Sequence, residues 1–531
     1  MARFNVPIRG SSKTVNYEGD VAYKLRPDLE LYTAVCDASL QFKFYERNSE
    51  EILKRIRALM RQNSPEYIAK LAVYAREKMN LRSIPLVLTV ELSKIHNGDA
   101  LVGKLTERII QRADEITEIL AYYQKSNERE GLKKLAKLSK QLSRGIATAF
   151  HKFDEYQMAK YDRDNEVSLR DAMFLTHPKP LSEEESNLFT KIANKSLETP
   201  YTWETALSAL GQQKFENEDA KKAAFKAKWE ELIDSKKLGY MATLRNLRNI
   251  LNANVSIQHI QKIATYLSND KAVATSRQFP FRFLAAYREL SGDTIETFPS
   301  SRRNQSAESK EKIINPYTSA ILDALEDAIK ISADTNIAGY DYNTNVLIAC
   351  DTSGSMRHPI SERSSIMYYD IGLVLGMLLQ NKCKSVITGI FGERWAIKHL
   401  PKSAILQNVR TLYSFEGEVG YSTNGYLAVQ WLLDNKVFID KVCIFTDCQL
   451  WNSRSPSKGL MTTLWNRYVA TMNQNAKLYL FDLAGYGNTP VSVDNGNVYI
   501  IAGWSDKIFE ILDAIEHGSS AVEYINSKIE L

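Results

Sequence analysis

VLIACDTSGSM, running from Val346 to Met356, decides the fold of the second half of this chain. Val346 to Cys350 is a continuous apolar run, read as a buried strand, and it ends at Asp351. Asp351, Ser353 and Ser355 then alternate, so three short oxygen side chains can converge where the strand stops. Two more oxygen donors stand downstream in matching contexts: Thr423 in GYSTNG, and Asp447 at the end of KVCIFTD. The five offer only hydroxyl and carboxylate oxygens. That donor set favours magnesium, with waters completing an octahedron, over zinc, which would want His or Cys. The competing reading has Asp351 and Ser353 merely capping the next turn, and it leaves Thr423 and Asp447 unexplained. His358 is the only histidine near the motif, and no general base is evident.

Around this stretch, strands and helices alternate from Tyr340 onward. NVLIAC, KSVITGIFG, KVCIFTD, AKLYLFDLAG and NVYIIAG read as strands. SIMYYDIGLVLGMLLQN, TNGYLAVQWLLDN, LMTTLWNRYVATM and KIFEILDAIEH read as helices. Continuous apolar strands separated by amphipathic helices predict a doubly wound, mostly parallel α/β sheet. Such sheets bind ligands beyond the carboxyl ends of their strands, where Asp351 and Asp447 both stand. The set Asp-x-Ser-x-Ser, Thr, Asp resembles the metal-ion-dependent adhesion site of a von Willebrand factor A domain. The resemblance implies an ion with an open position that can capture a carboxylate from a partner protein.

Upstream, residues from about 30 to 330 read as helix after helix. NSEEILKRIRALM opens with cap candidates Asn48 and Ser49, and Ile52, Ile56, Leu59 and Met60 keep a helical period. SPEYIAKLAVYAREKM has Ser64 as cap and Pro65 at the first helical position. Ser182 and Glu185 fit a capping box. The polar stretch Ser291 to Asn315, containing FPSSRRNQSAESK, reads as a loop, followed by the helix TSAILDALEDAIKIS. Successive helix pairs predict an α-solenoid, with an irregular bundle as the other reading. The expected division is a helical module over 1–335 and the α/β domain over 340–531.

Composition bounds the class. At 531 residues two or more domains are expected, and 44% apolar with 25% charged residues is ordinary globular usage. No long charge-free apolar run appears, and MARFNVPIRG lacks the apolar core of a secretion signal, so no membrane span is expected. Cys36, Cys350, Cys383, Cys443 and Cys448 form no CxxC pair, which fits a reduced, cytoplasmic chain. The net charge of +5 is uneven. Residues 1–340 hold 52 Lys+Arg against 45 Asp+Glu, and 341–531 hold 16 against 18. Within the first part, 131–150 has five basic residues and no acid, and 241–290 has seven against two. Such clusters suit a polyanion, or else a solvated helix face.

YQMAKYDRDNEVSLRDAMFLTHPKP, Tyr156 to Pro180, mixes Lys160, Arg163, Arg170, His177 and Lys179 with Tyr156, Tyr161 and Phe174. Cations neutralise phosphate, and rings stack on unpaired bases. GYMATLRNLRNIL adds Arg245 and Arg248, three apart on one helix face; RQFPFRFLAAYREL adds Arg277, Arg282 and Arg288. An ordinary amphipathic helix is the bland reading of each alone.

LRDAMFLTHPKP, MATLRNLRNIL and FPFRFLAAYREL resemble the recurrent segments of the TROVE module of the Ro autoantigen family, in its bacterial-type form. There too the module precedes a von Willebrand A domain, and the resemblance covers roughly residues 20 to 531. It implies a ring of HEAT-like α-helical repeats closed by the A domain. Single-stranded RNA ends would enter a basic hole, and small noncoding Y RNAs would bind the outer surface. His177 resembles the family's histidine in Leu-x-His-x-Lys-Pro, here Leu175 to Pro180, and Lys160 and Arg163 resemble its preceding basic positions. The expected function is therefore RNA binding in RNA quality control, as part of a ribonucleoprotein, with an exoribonuclease or other RNA-processing protein as a possible partner class. No enzyme activity is expected. The rival reading is a metal-dependent interaction scaffold. A metal-dependent nuclease is a third, and it lacks the carboxylate cluster that two-metal chemistry uses.

Overall fold

The structure, a computed structural model, describes residues 13–38, 49–127, 138–162, 166–291, 317–333, 340, 343–360, 364–454 and 458–531. The chain divides into two compact units. The larger holds the described residues of Met1–Leu25 and Thr202–Ser519, and the smaller holds Arg26–Tyr201 and Ser520–Leu531. These units are drawn differently from the sequence division at 335 to 340.

The smaller unit is helical. Ser64 accepts the Tyr67 amide through its side chain and starts the helix Pro65–Glu77, with proline in the first turn. Ser49–Met60 is helical, while Asn48 lies outside the described residues. Ser182 accepts the Glu185 amide at 3.2 Å at the start of Glu183–Ala193. The expected box closes on one side only, because the Glu185 carboxylate turns to the Leu181 amide and His151. The core carries one buried ion pair. Arg76 meets Glu115 at 2.8 Å, and Glu115 also accepts the Gln111 and Arg112 amides, so the buried charge is fully satisfied. The helix Ala521–Lys528 belongs here, packed on Pro65–Glu77 with Tyr524 edge-on to Tyr74 at 6.4 Å.

The larger unit contains the helices Trp203–Gly211, Glu218–Asp234, Tyr240–Asn252, Ile257–Leu267, Asp270–Ser276, Pro280–Ser291 and Thr318–Ser332. It also contains two sheets. Strands β1 (Lys13–Val15) and β2 (Val21–Lys24) form a hairpin. Strands β3 (Asn345–Asp351), β4 (Ser385–Phe391), β5 (Trp395–Ile397), β6 (Lys441–Thr446) and β7 (Lys477–Asp482) follow. The short strand β8 (Asn488–Thr489) pairs with β2, and β9 (Val498–Ala502) closes the main sheet. The main sheet runs β5-β4-β3-β6-β7-β9, parallel except for the β5 edge. This is the expected doubly wound α/β sheet.

Side-chain alternation explains its two covered faces. Leu347 and Ala349 pack with the helices Tyr426–Asp434 and Leu460–Thr471. Ile348 and Cys350 face the helix Tyr368–Lys382, where a Cβ added at Gly376 would stand 2.7 Å from Cys350 Sγ. That helix starts at Tyr368, later than Ser365, because Asp370 accepts the Met367 amide at 2.8 Å. The chain steps from β3 out to β4 and returns to β6 on the other side of β3. The strand order therefore reverses between β3 and β6, which is where such sheets open a crevice.

The helices upstream of β3 are tied to this sheet unit by charge. Arg288 reaches Asp370 at 2.6 Å, and both side chains are buried. Glu326 accepts the Leu406 and Gln407 amides and so caps the helix Ile405–Ser414. FPSSRRNQSAESK lies outside the described residues. All five cysteines are buried thiols outside any disulfide. Among the described residues no helix is long and apolar enough to cross a membrane.

Candidate functional site

Asp351 ends β3, and Thr352 turns the chain by donating its amide to the Phe391 carbonyl at 3.1 Å. The Ser353 amide returns to Asp351 Oδ1 at 2.9 Å, and Ser353 Oγ lies 3.2 Å from Ser355 Oγ. Gly354 donates to the Tyr421 carbonyl at 2.8 Å, which draws in the loop carrying Thr423. Gly392 permits that approach: a Cβ there would stand 2.1 Å from the Gly420 carbonyl oxygen. The Thr423 hydroxyl donates to the Gln449 carbonyl at 3.2 Å. Asp447 follows β6, and its Oδ1 accepts the Gln449 amide at 3.0 Å. Thr446 adds a bond the sequence reading missed, from its hydroxyl to Asp351 Oδ2 at 2.7 Å. The five expected metal residues are thus assembled from three loops at the point where the strand order reverses.

Two buried carboxylates dominate the electrostatics of this cluster. Asp351, Ser353, Thr423 and Asp447 are at most 4% exposed, and Ser355 is half-buried. Burial and the neighbouring Asp447 charge push the Asp351 carboxyl up to about 7, against hydrogen bonds from Ser353 and Thr446. Burial pushes Asp447 up as well. Asp447 Oδ2 is buried without a hydrogen-bond partner. A buried orphan oxygen beside a second carboxylate is costly unless a cation sits between them. Among the described residues no three His, Cys, Asp or Glu side chains converge, so the site is two carboxylates plus three hydroxyls. That set fits a hard divalent ion.

The expected RNA residues fall in both units. In the smaller unit Lys160 is exposed on Glu155–Tyr161, 5.9 Å from the Tyr156 ring centre and 5.6 Å from that of Tyr161. Arg112, not singled out from sequence, covers Tyr161 at 4.6 Å. The helix ends at Tyr161, and Arg163 lies outside the described residues. Arg170 is exposed on Leu169–Thr176, 5.4 Å from the exposed Phe174 ring. His177 caps that helix in the left-handed conformation (φ 50°), and it and Lys179 are exposed. In the larger unit Arg245 is exposed, and together with burial its charge holds the half-buried Arg282 guanidinium below its ordinary value. Arg248 is bound to Glu289 at 2.7 Å. Of the 131–150 cluster, Lys140 and Arg144 are exposed, and Lys133, Lys134 and Lys137 lie outside the described residues.

The TROVE domain model matches residues 32–228 and 196–340. The chain belongs to the TROVE family. A Ro60 vWA domain model matches residues 345–515, so the order of the two modules in this TROVE protein is that of the Ro type. Membership sets it among RNA-binding proteins of that type. The crystal structure of the Deinococcus radiodurans Ro (RSR) protein has the same fold. The match has a TM-score of 0.59 at 15% identity, over 92% of this chain and all of that one. Telomerase protein component 1 of Mus musculus is 26% identical over 311 residues, covering 46% of this TROVE protein and 12% of the relative. The Rattus norvegicus protein of the same name is 24% identical over 331 residues, covering 49% and 13%. The TROVE chain thus spans a small part of either relative's length.

Proposed function

We propose that this protein binds small Y-type RNAs and the single-stranded ends of misfolded or processing RNAs, acting in RNA quality control within a ribonucleoprotein and not as an enzyme. Membership in the TROVE family, with the match running from residue 32 to 340, carries this reading. The side chains support it. Lys160 lies beside Tyr156 and Tyr161, and Arg170 beside Phe174, with Lys160, Arg170, Tyr156 and Phe174 exposed. Cations that meet phosphate next to rings that stack on any base give loose single-strand recognition. The test is a gel shift with a hairpin RNA and a single-stranded oligonucleotide at about 50 and about 200 mM salt. Affinity should fall steeply between them; an unchanged affinity overturns the reading.

Asp351, Ser353, Ser355, Thr423 and Asp447 would hold magnesium, which would supply charge to an incoming carboxylate rather than chemistry. The orphan Asp447 oxygen favours a bound cation, and the second role we infer for that cation is capture of a carboxylate from a partner protein such as an exoribonuclease. It is compatible with RNA binding, because the metal residues and the exposed cations sit on different elements.

A further inference from the structure

The hairpin β1–β2 closes on the turn that orders the metal residues. The Tyr17 amide donates to Gln449 Oε1 at 2.9 Å, and Asn16 Nδ2 donates to the Leu450 carbonyl at 2.8 Å. Gln449 Nε2 also reaches Asn488 Oδ1 at 3.3 Å, on the strand that pairs with β2. Gln449 is therefore held from two sides. Its own backbone then sets two candidate ligands. Its amide occupies Asp447 Oδ1, which leaves Oδ2 for the ion. Its carbonyl takes the Thr423 hydroxyl proton, which leaves the oxygen lone pairs for the ion. A hydroxyl that coordinates a cation must send its proton elsewhere, and here the acceptor is fixed. The turn needs holding, because Cys448 sits at φ 61°, the left-handed region that a non-glycine residue adopts at a cost.

We propose that the β1–β2 hairpin is a positioning element of the metal site, acting through Gln449. This rests on the magnesium reading above. Residues that orient a metal's ligands commonly change affinity by about 10- to 100-fold when altered. Coupling is reciprocal, so the bound ion should also tighten the hairpin.

The turn geometry supplies a clean variant. Gly19 donates to the Asn16 carbonyl and Asn16 to the Asp20 carbonyl, both at 3.0 Å, with Gly19 at φ 83°. This is a three-residue loop with glycine in the left-handed place, and Tyr17 holds the second turn position, which proline favours. Tyr17→Pro therefore removes the amide donor and keeps the turn. Tyr17→Ala keeps the donor and removes only a ring that is 92% exposed. Magnesium titration calorimetry on the full chain should give wild-type affinity for Tyr17→Ala and about 10-fold or greater weakening for Tyr17→Pro, with the melting temperature of the magnesium-free protein little changed. In the wild type, hydrogen exchange at the Tyr17 amide should slow when magnesium is added. Equal affinity in Tyr17→Pro, or an exchange rate indifferent to magnesium, overturns the proposal. A wild-type chain that binds no magnesium overturns the metal reading itself. If Tyr17→Pro does not fold, the exchange measurement on the wild type decides alone.

Discussion

Two buried carboxylates, Asp351 and Asp447, repel one another, Asp447 Oδ2 has no hydrogen-bond partner, and their charge contributes to how stability responds to pH. A carboxyl raised to about 7 in the fold but ordinary in the unfolded chain costs nothing below about pH 4, where both forms are protonated. The penalty grows as pH rises through the interval up to about 7 and persists above it. Magnesium should remove that penalty. Melting temperature with and without magnesium should therefore diverge more at pH 8 than at pH 5, and Asp351→Ala should erase the difference while RNA affinity stays near wild type. A large loss of RNA affinity in that folded variant would mean that metal and RNA share a site. The exposed cations behave differently. Lys160→Ala and Lys179→Ala should each lower the slope of log affinity against log salt by about one. His177→Ser should cost roughly 1–3 kcal/mol of binding if the ring stacks on a base. Because all three side chains are exposed, thermal melts should not move. A fall in melting temperature for His177→Ser would assign its left-handed cap a structural role instead.

Among the elements, those that announce themselves in sequence are the ones buried on both faces. β3 and β6 are legible because nearly every residue is apolar and buried. β5 is a three-residue edge, and β1 alternates between exposed and half-buried, so neither carries an apolar period and neither was read. The helices Ile405–Ser414 and Ala521–Lys528 were missed as well. The residues proposed to hold magnesium stand out in the sequence because each is in a local motif. Gln449 does not, because it acts through a backbone amide and carbonyl that any residue has, and its side-chain partner Tyr17 is 432 positions away. Charge misled in one helix. Arg288 reads like its neighbours in RQFPFRFLAAYREL, yet it is buried against Asp370 and the Tyr413 ring. Removing one partner of a buried pair leaves the other uncompensated, so Arg288→Ala should destabilise the fold by about 3–5 kcal/mol. Its salt slope for RNA should match the wild type. Chemical denaturation and a salt titration on the same variant separate the two roles, and an unshifted denaturation midpoint would contradict the burial argument.

At the level of the whole molecule, charge and architecture divide along different lines. The positive excess lies before residue 340, but the compact units do not break there. A fragment of residues 1–340 would lack Ala521–Lys528 from the smaller unit and the main sheet from the larger. It should show reduced helicity and no cooperative melt by circular dichroism, whereas a cooperative transition like that of the full chain would mean the helical segments suffice alone. For the smaller unit this has a bearing on biosynthesis. Its helix Pro65–Glu77 leaves the ribosome before Thr202–Ser519, but the helix that covers it, Ala521–Lys528, emerges only after all of that segment has been made. Until then an apolar face waits without its cover, and closing so distant a contact is slow. The nascent chain is thus a natural client for chaperones, and its yield in cells should depend on them more than the stability of the finished fold would indicate.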